Sequence, residues 1–105
     1  MSDVMSNLVG VKTKIADALR AAEGDAGASA VLVAVVQEFD KKADKAMRQG
    51  GDTPDAMREA VVELEQAGDS AKAAAEADSG LSAEAKQAVL DAHMAICVLK
   101  GSCTG

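Results

Sequence analysis

The chain has 105 residues, enough for one hydrophobic core and too few for two. Hydrophobic residues make up 49%, yet Phe39 is the only aromatic and 23 residues are alanine, so the interior must be built from close backbones and small aliphatic side chains. One proline with abundant Ala, Glu and Lys favours helix over strand, and 17 acids against 11 bases, a net charge of −6, argue against a nucleic-acid backbone as partner.

Apolar spacing predicts four helices separated by glycine-bearing breaks. The first spans about 3–22, with Val4, Leu8, Val11, Ile15, Ala18 and Ala22 on one stripe. Gly24, Asp25 and Gly27 interrupt it. The second spans about 29–49, with Leu32, Val36, Phe39, Ala43 and Met47 inward. Its opening stretch, Val31 to Val36, is β-branched enough to resemble a buried strand. It passes without a turn residue into helically spaced charges from Glu38 to Arg48, and no partner strand is visible, so helix is expected. Gly50-Gly51 stops it.

The third helix, about 54–77, has the clearest start. Thr53 is a cap, Pro54 takes the first helical position, where a missing N–H costs nothing, and Asp55 and Glu59 lie near the positive end of the dipole. Asp78-Ser79-Gly80 ends it, with Gly80 expected in the left-handed conformation that often follows a helix. Ser82 caps a fourth helix, about 83–100, with Ala85, Val89, Ala92, Ile96 and Leu99 inward.

Four such helices with short links predict an all-α, Ala-rich, antiparallel up-down-up-down four-helix bundle forming one domain over residues 1–105. Alternation gathers Ala18, Ala22, Ala71, Ala75 and Ala85 at one end, and Leu8, Phe39, Met57, Met94 and Leu99 toward the other, so a tapered bundle is expected. No internal repeat is evident. The longest apolar run, residues 26–36, has 11 residues, whereas a membrane-crossing helix needs about 20. The opening Met1-Ser2-Asp3 lacks a secretory signal's basic and apolar regions, which points to a cytoplasmic protein with reduced cysteines.

Two surfaces suggest partners. Residues 1–50 hold seven acids and seven bases, so the whole net charge falls in the second half, where Glu59, Glu63 and Asp69 mark an acidic third helix that would attract a basic protein. The fourth helix carries a second apolar stripe, Leu90, Met94, Cys97 and Val98, beside its inward one. Either the tail from Gly101 to Gly105 covers that stripe, or a partner does; self-association into a homodimer through the fourth helix is the leading expectation.

Chemistry is sparse. His93 and Cys97 share a helical face but supply only two ligands, so no metal site is expected. Cys97 and Cys103 are too far apart on a helix to bond unless it unwinds at Gly101. Gly50-Gly51 lacks the Lys-Ser or Lys-Thr of a phosphate loop, no serine sits in a nucleophile turn, and no Glu-x-x-His occurs. No catalytic residue, metal or cofactor is therefore assigned, and the chain is expected to be non-enzymatic. Leu99-Lys100-Gly101-Ser102, following the single His93, resembles the stretch after the reactive histidine of histidine phosphotransfer domains, which are helical bundles. The resemblance implies a phosphotransfer module using His93. In that family the lysine stands three residues after the histidine, whereas here that position is Ile96 and Lys100 stands seven after.

Overall fold

A computed structural model describes residues 2–49 and 53–104, with side chains described for 6–48 and 53–99. Over these residues the chain forms α1 (Ser2–Glu23), α2 (Ala30–Gln49), α3 (Pro54–Ala77) and α4 (Ala83–Thr104), with no strand. The strand-like run from Val31 is helical; Leu32 and Val36 are buried while Val31 stands 70% exposed. The last helix outruns its expected end at about residue 100 and continues through Gly101 to Thr104.

Capping chemistry fixes the helix starts. The Thr53 side chain accepts a hydrogen bond from the Ala56 N–H at 3.0 Å, ahead of Pro54. The Ser29 hydroxyl accepts from the Leu32 N–H and the Ser82 hydroxyl from the Ala85 N–H. Each cap satisfies an N–H that the helix cannot bond internally.

The four helices form a ring in which α1 meets α2, α2 meets α3, α3 meets α4 and α4 closes on α1. The loops that follow α1 and α3 set the geometry. Asp25, after α1, accepts the Ser82 N–H at 2.8 Å, and Asp78, after α3, accepts the Ser29 N–H at 2.9 Å. The ends of α1 and α3 and the starts of α2 and α4 therefore share one tip. Each carboxylate also accepts from a glycine two residues on, Asp25 from Gly27 and Asp78 from Gly80, an Asx-type turn that leaves its second oxygen for the other loop.

These contacts are reciprocal because the chain carries an internal repeat. Asp25-Ala26-Gly27-Ala28-Ser29 and Asp78-Ser79-Gly80-Leu81-Ser82 match at an offset of 53 residues. The buried set follows the same offset: Leu8, Val11, Ile15, Ala18 and Ala22 correspond to Val61, Leu64, Gly68, Ala71 and Ala75. Likewise Leu32, Val36, Phe39, Ala43 and Ala46 correspond to Ala85, Val89, Ala92, Ile96 and Leu99. The α1–α2 hairpin and the α3–α4 hairpin are thus related by a pseudo-two-fold axis. The absence of a repeat, expected above, is corrected by this register.

The expected left-handed Gly80 is also corrected, since no described glycine has a positive φ. Glycine is required at the tip by proximity instead. A Cβ on Gly27 would stand 1.9 Å from the Gly80 carbonyl oxygen, and one on Gly80 would stand 2.4 Å from that of Gly27.

From the tip outward the core stacks in layers, one residue per helix. The two layers nearest the tip hold Ala22, Leu32, Ala75 and Ala85, then Ala18, Val36, Ala71 and Val89, five of the eight being alanine. The third layer joins Ile15, Phe39, Gly68 and Ala92. Here the repeat differs most, and the sizes compensate: the Phe39 ring occupies the space beside Gly68, where an added Cβ would come within 3.1 Å of it and within 3.2 Å of Ile96. Met94, expected at the wide end of the bundle, points outward and is 62% exposed.

The tip and the third layer make three predictions. Gly27→Ala and Gly80→Ala should each cost about 1–3 kcal/mol, because backbone faces the new methyl, and in the double variant the two losses should not add; denaturant midpoints check this. Phe39→Ala should cost about 3–5 kcal/mol by the same measurement, since the ring is fully buried. The Asp25 carboxyl is held below its ordinary range by the Ser82 N–H and hydroxyl, and then by the Gly27 N–H. Asp78 is held down chiefly by the Ser29 N–H. A depressed native value gives stabilisation that is complete above the ordinary aspartate range and lost as pH falls through the native value. Asp25→Asn and Asp78→Asn should therefore each flatten the fall in melting temperature between about pH 6 and about pH 2.

Candidate functional site

The outer face of α4 follows from its register. With Ala85, Val89, Ala92, Ile96 and Leu99 buried, the residues at steps of four from Leu90, namely Met94 and Val98, lie on the opposite side of the helix. Met94 and Val98 are 62% and 64% exposed, while Leu90 and Cys97 are half-buried on the flank. Because α4 remains helical to Thr104, the tail does not turn back at Gly101 to cover this stripe. The unwinding that a Cys97–Cys103 bond would need is likewise absent; the Cys103 side chain lies outside the described residues, and Cys97 is a thiol.

The repeat shows that the stripe is not a requirement of the fold. At the equivalent positions α2 carries Gln37, Lys41, Asp44 and Lys45 where α4 carries Leu90, Met94, Cys97 and Val98. Two of these polar residues tie α2 to its neighbours: Asp44 pairs with Lys12 of α1 at 2.9 Å, and Lys45 pairs with Glu63 of α3 at 3.2 Å. Lys12 also reaches Asp40 at 2.5 Å. Partial burial opposes the lysine charge, but the two aspartates outweigh it and raise its pKa.

The acidic face of α3 is more engaged than its composition suggests. Glu63 receives both Lys45 and Lys42 from α2, at 3.2 and 3.3 Å, and their hydrogen bonds, that of Lys45 first, hold its carboxyl below the usual range. Asp69 turns the other way, to His93 of α4, with Oδ1 at 2.7 Å from Nε2. Glu59 remains exposed beside Arg58 and Val62 in an open depression. Thus the three acids proposed to act together point at α2, at α4 and at solvent.

His93 keeps only 14% of its side chain exposed. Besides Asp69 it meets Cys97 one turn along α4, with Sγ at 3.5 Å from Nε2 and 3.9 Å from Nδ1. This Asp69–His93–Cys97 cluster joins a residue chosen for charge to two chosen for chemistry. The signal available beforehand was antiparallel register, which sets position 69 level with about position 91. A phosphoryl group entering at Nε2 would meet the Asp69 carboxylate already there. Among the described residues no group of three or more His, Cys, Asp or Glu side chains is arranged to hold a metal ion.

Other depressions are open. Two at the tip, one beside Ala21, Gly24, Asp25 and Ser82 and the other beside Ala74, Ala77, Asp78 and Ser29, are copies related by the repeat. A third runs between α2 and α3 along Ala34, Val35 and Ala67. None gives the deep concavity typical of small-molecule sites. Among the described residues no helix is long and apolar enough to cross a membrane. No protein-family model, curated protein or solved structure matches the chain.

Proposed function

We propose that this chain is a non-enzymatic cytoplasmic protein that works by protein–protein contact, pairing with a second copy of itself through the outer face of α4. The observation that carries this reading is the contrast within the repeat. The same helical position in the same fold bears Gln37, Lys41, Asp44 and Lys45 in one half, and Leu90, Met94, Cys97 and Val98 in the other. Packing inside the chain explains the stripe poorly, since Met94 and Val98 are largely exposed and the polar set serves equally well on α2. Burial of such a stripe against its own copy removes apolar surface from water on both partners, and a two-fold pairing matches each residue with its mate twice.

The reading as an acidic adaptor for a basic target rests on Glu59, Glu63 and Asp69. It is weakened by the engagement of Glu63 with two lysines and of Asp69 with His93. Phosphotransfer through His93 is weakened by the burial of the ring and by the same aspartate.

The repeat also supplies the test. Met94→Lys with Val98→Lys copies the residues that α2 carries at Lys41 and Lys45, so the bundle should keep its stability to within about 1 kcal/mol. Sedimentation of the unaltered chain should show a monomer–dimer equilibrium that shifts with concentration, and the double variant should stay monomeric. A strictly monomeric unaltered chain, or a dimer indifferent to both lysines, overturns the proposal.

A further inference from the structure

Met94 and Val98 alone are too little for a stable contact between copies. Specific interfaces bury on the order of 800 Å² on each partner, more than one exposed stripe on a single helix supplies, so the pairing face of α4 must continue onto a neighbouring helix. Two neighbours are available, α3 and α1. The seam with α3 is bridged by Asp69 and His93. The seam with α1 has a different character.

The repeat shows what that second seam lacks. Between α2 and α3, Glu63 binds Lys42 and Lys45 at 3.3 and 3.2 Å, an ionic bridge from helix to helix. The equivalent residues between α1 and α4 are Gly10, Ala95 and Val98, so an acid and two bases give way to residues without charge. Gly10 is exposed, and a Cβ built on it meets nothing within 4 Å. It has no positive φ either. A glycine inside a helix weakens that helix relative to alanine, because it loses the most backbone freedom on folding. Nothing within a single copy therefore accounts for the missing side chain. Val9, beside it, is 49% exposed. Toward the tip the same seam turns polar at Lys14 and Asp91, the counterparts of Ala67 and Glu38, which line the depression between α3 and α2.

We infer that the pairing surface spans α4 and α1, and that the notch at Gly10 receives the Met94 side chain of the second copy. The inference rests on the pairing proposed above and names where its two partners interlock. A two-fold axis passing between Met94 and Gly10 makes the insertion reciprocal, Met94 of each copy covering the bare helix backbone of the other. Methionine suits the role because its unbranched thioether chain adapts to a shallow recess. Val9 and Val98 flank the notch as the apolar centre, and Lys14 and Asp91 form the polar edge on the tip side, the layout of a specific interface.

Gly10→Ala separates this contact from a role in the fold, because the two readings differ in sign. With open space around position 10 and a better helix former in place, the monomer should melt about 4 °C higher, measured at a dilution where sedimentation finds no dimer. Dimerisation should weaken about tenfold or more, since the added methyl meets the partner at two sites. Val9→Lys should also weaken pairing, whereas Val62→Lys, at the equivalent position of α3, should leave it unchanged. If Met94→Lys with Val98→Lys abolishes the dimer while Gly10→Ala and Val9→Lys pair as tightly as the unaltered chain, pairing through α4 stands and its extension onto α1 is overturned. A Gly10→Ala monomer that melts lower assigns the glycine to the fold and overturns the inference too. An unaltered chain that never dimerises overturns both readings.

Discussion

The reciprocal clasp at the tip is the contact on which the rest of the molecule depends. A bundle of hairpins needs some device that sets how far one hairpin slides along the other, because apolar stripes alone tolerate a shift of one helical turn. Here Asp25 bonds the backbone at the start of α4 while Asp78 bonds the backbone at the start of α2. Each carboxylate sits where a helix dipole is positive and its first N–H groups lack intrahelical partners. One oxygen of each aspartate shapes its own loop and the other reaches across, so the loop conformation and the docking of the hairpins are a single event. Gly27 and Gly80 allow the two loop backbones to approach to the distance at which those bonds form.

With the tip pinned, the core can repeat in position without repeating in composition. Leu8 and Val61, Ile15 and Gly68, Phe39 and Ala92 occupy matched sites with different volumes. Surface chemistry diverges further: α1 and α2 are joined by a lysine between two aspartates, α2 and α3 by a glutamate between two lysines, and α3 and α4 by an aspartate–histidine pair. At positions 90, 94, 97 and 98 the outer face of α4 carries no charge, where α2 carries Lys41, Asp44 and Lys45. Identity is kept where the fold needs it, at the tip, and difference is concentrated in the seams and on the outer faces of the helices.

Much of this architecture can be read from the residues alone, because its causes are local. Thr53-Pro54 and Ser82 announce helix starts through capping chemistry that acts within three residues, and the apolar spacing of Leu8, Val11, Ile15, Ala18 and Ala22 names the buried face directly. The exposure of Met94 and Val98 follows from the same periodicity. The repeat is harder to see, since its identities reduce to a few small loop residues and its core partners differ in size. Gly80 looks like a left-handed helix terminator until the opposing loop is present to show that space, not φ, excludes a side chain. The fates of Glu63 and Asp69 are hidden for a related reason: their partners, Lys42, Lys45 and His93, lie 18 to 24 residues away, on helices whose facing is set only by the assembled ring.

The third core layer carries a consequence for which sequences this fold admits. Gly68 has no side chain because Phe39 and Ile96 already fill its place, so tolerance at these three sites belongs to the trio and not to any member. A bulkier residue at 68 becomes acceptable only after the ring at 39 shrinks, and the order in which such changes accumulate is constrained even though each endpoint packs well. Descendants of this chain should therefore drift along paired substitutions across the pseudo-axis, with many single steps blocked.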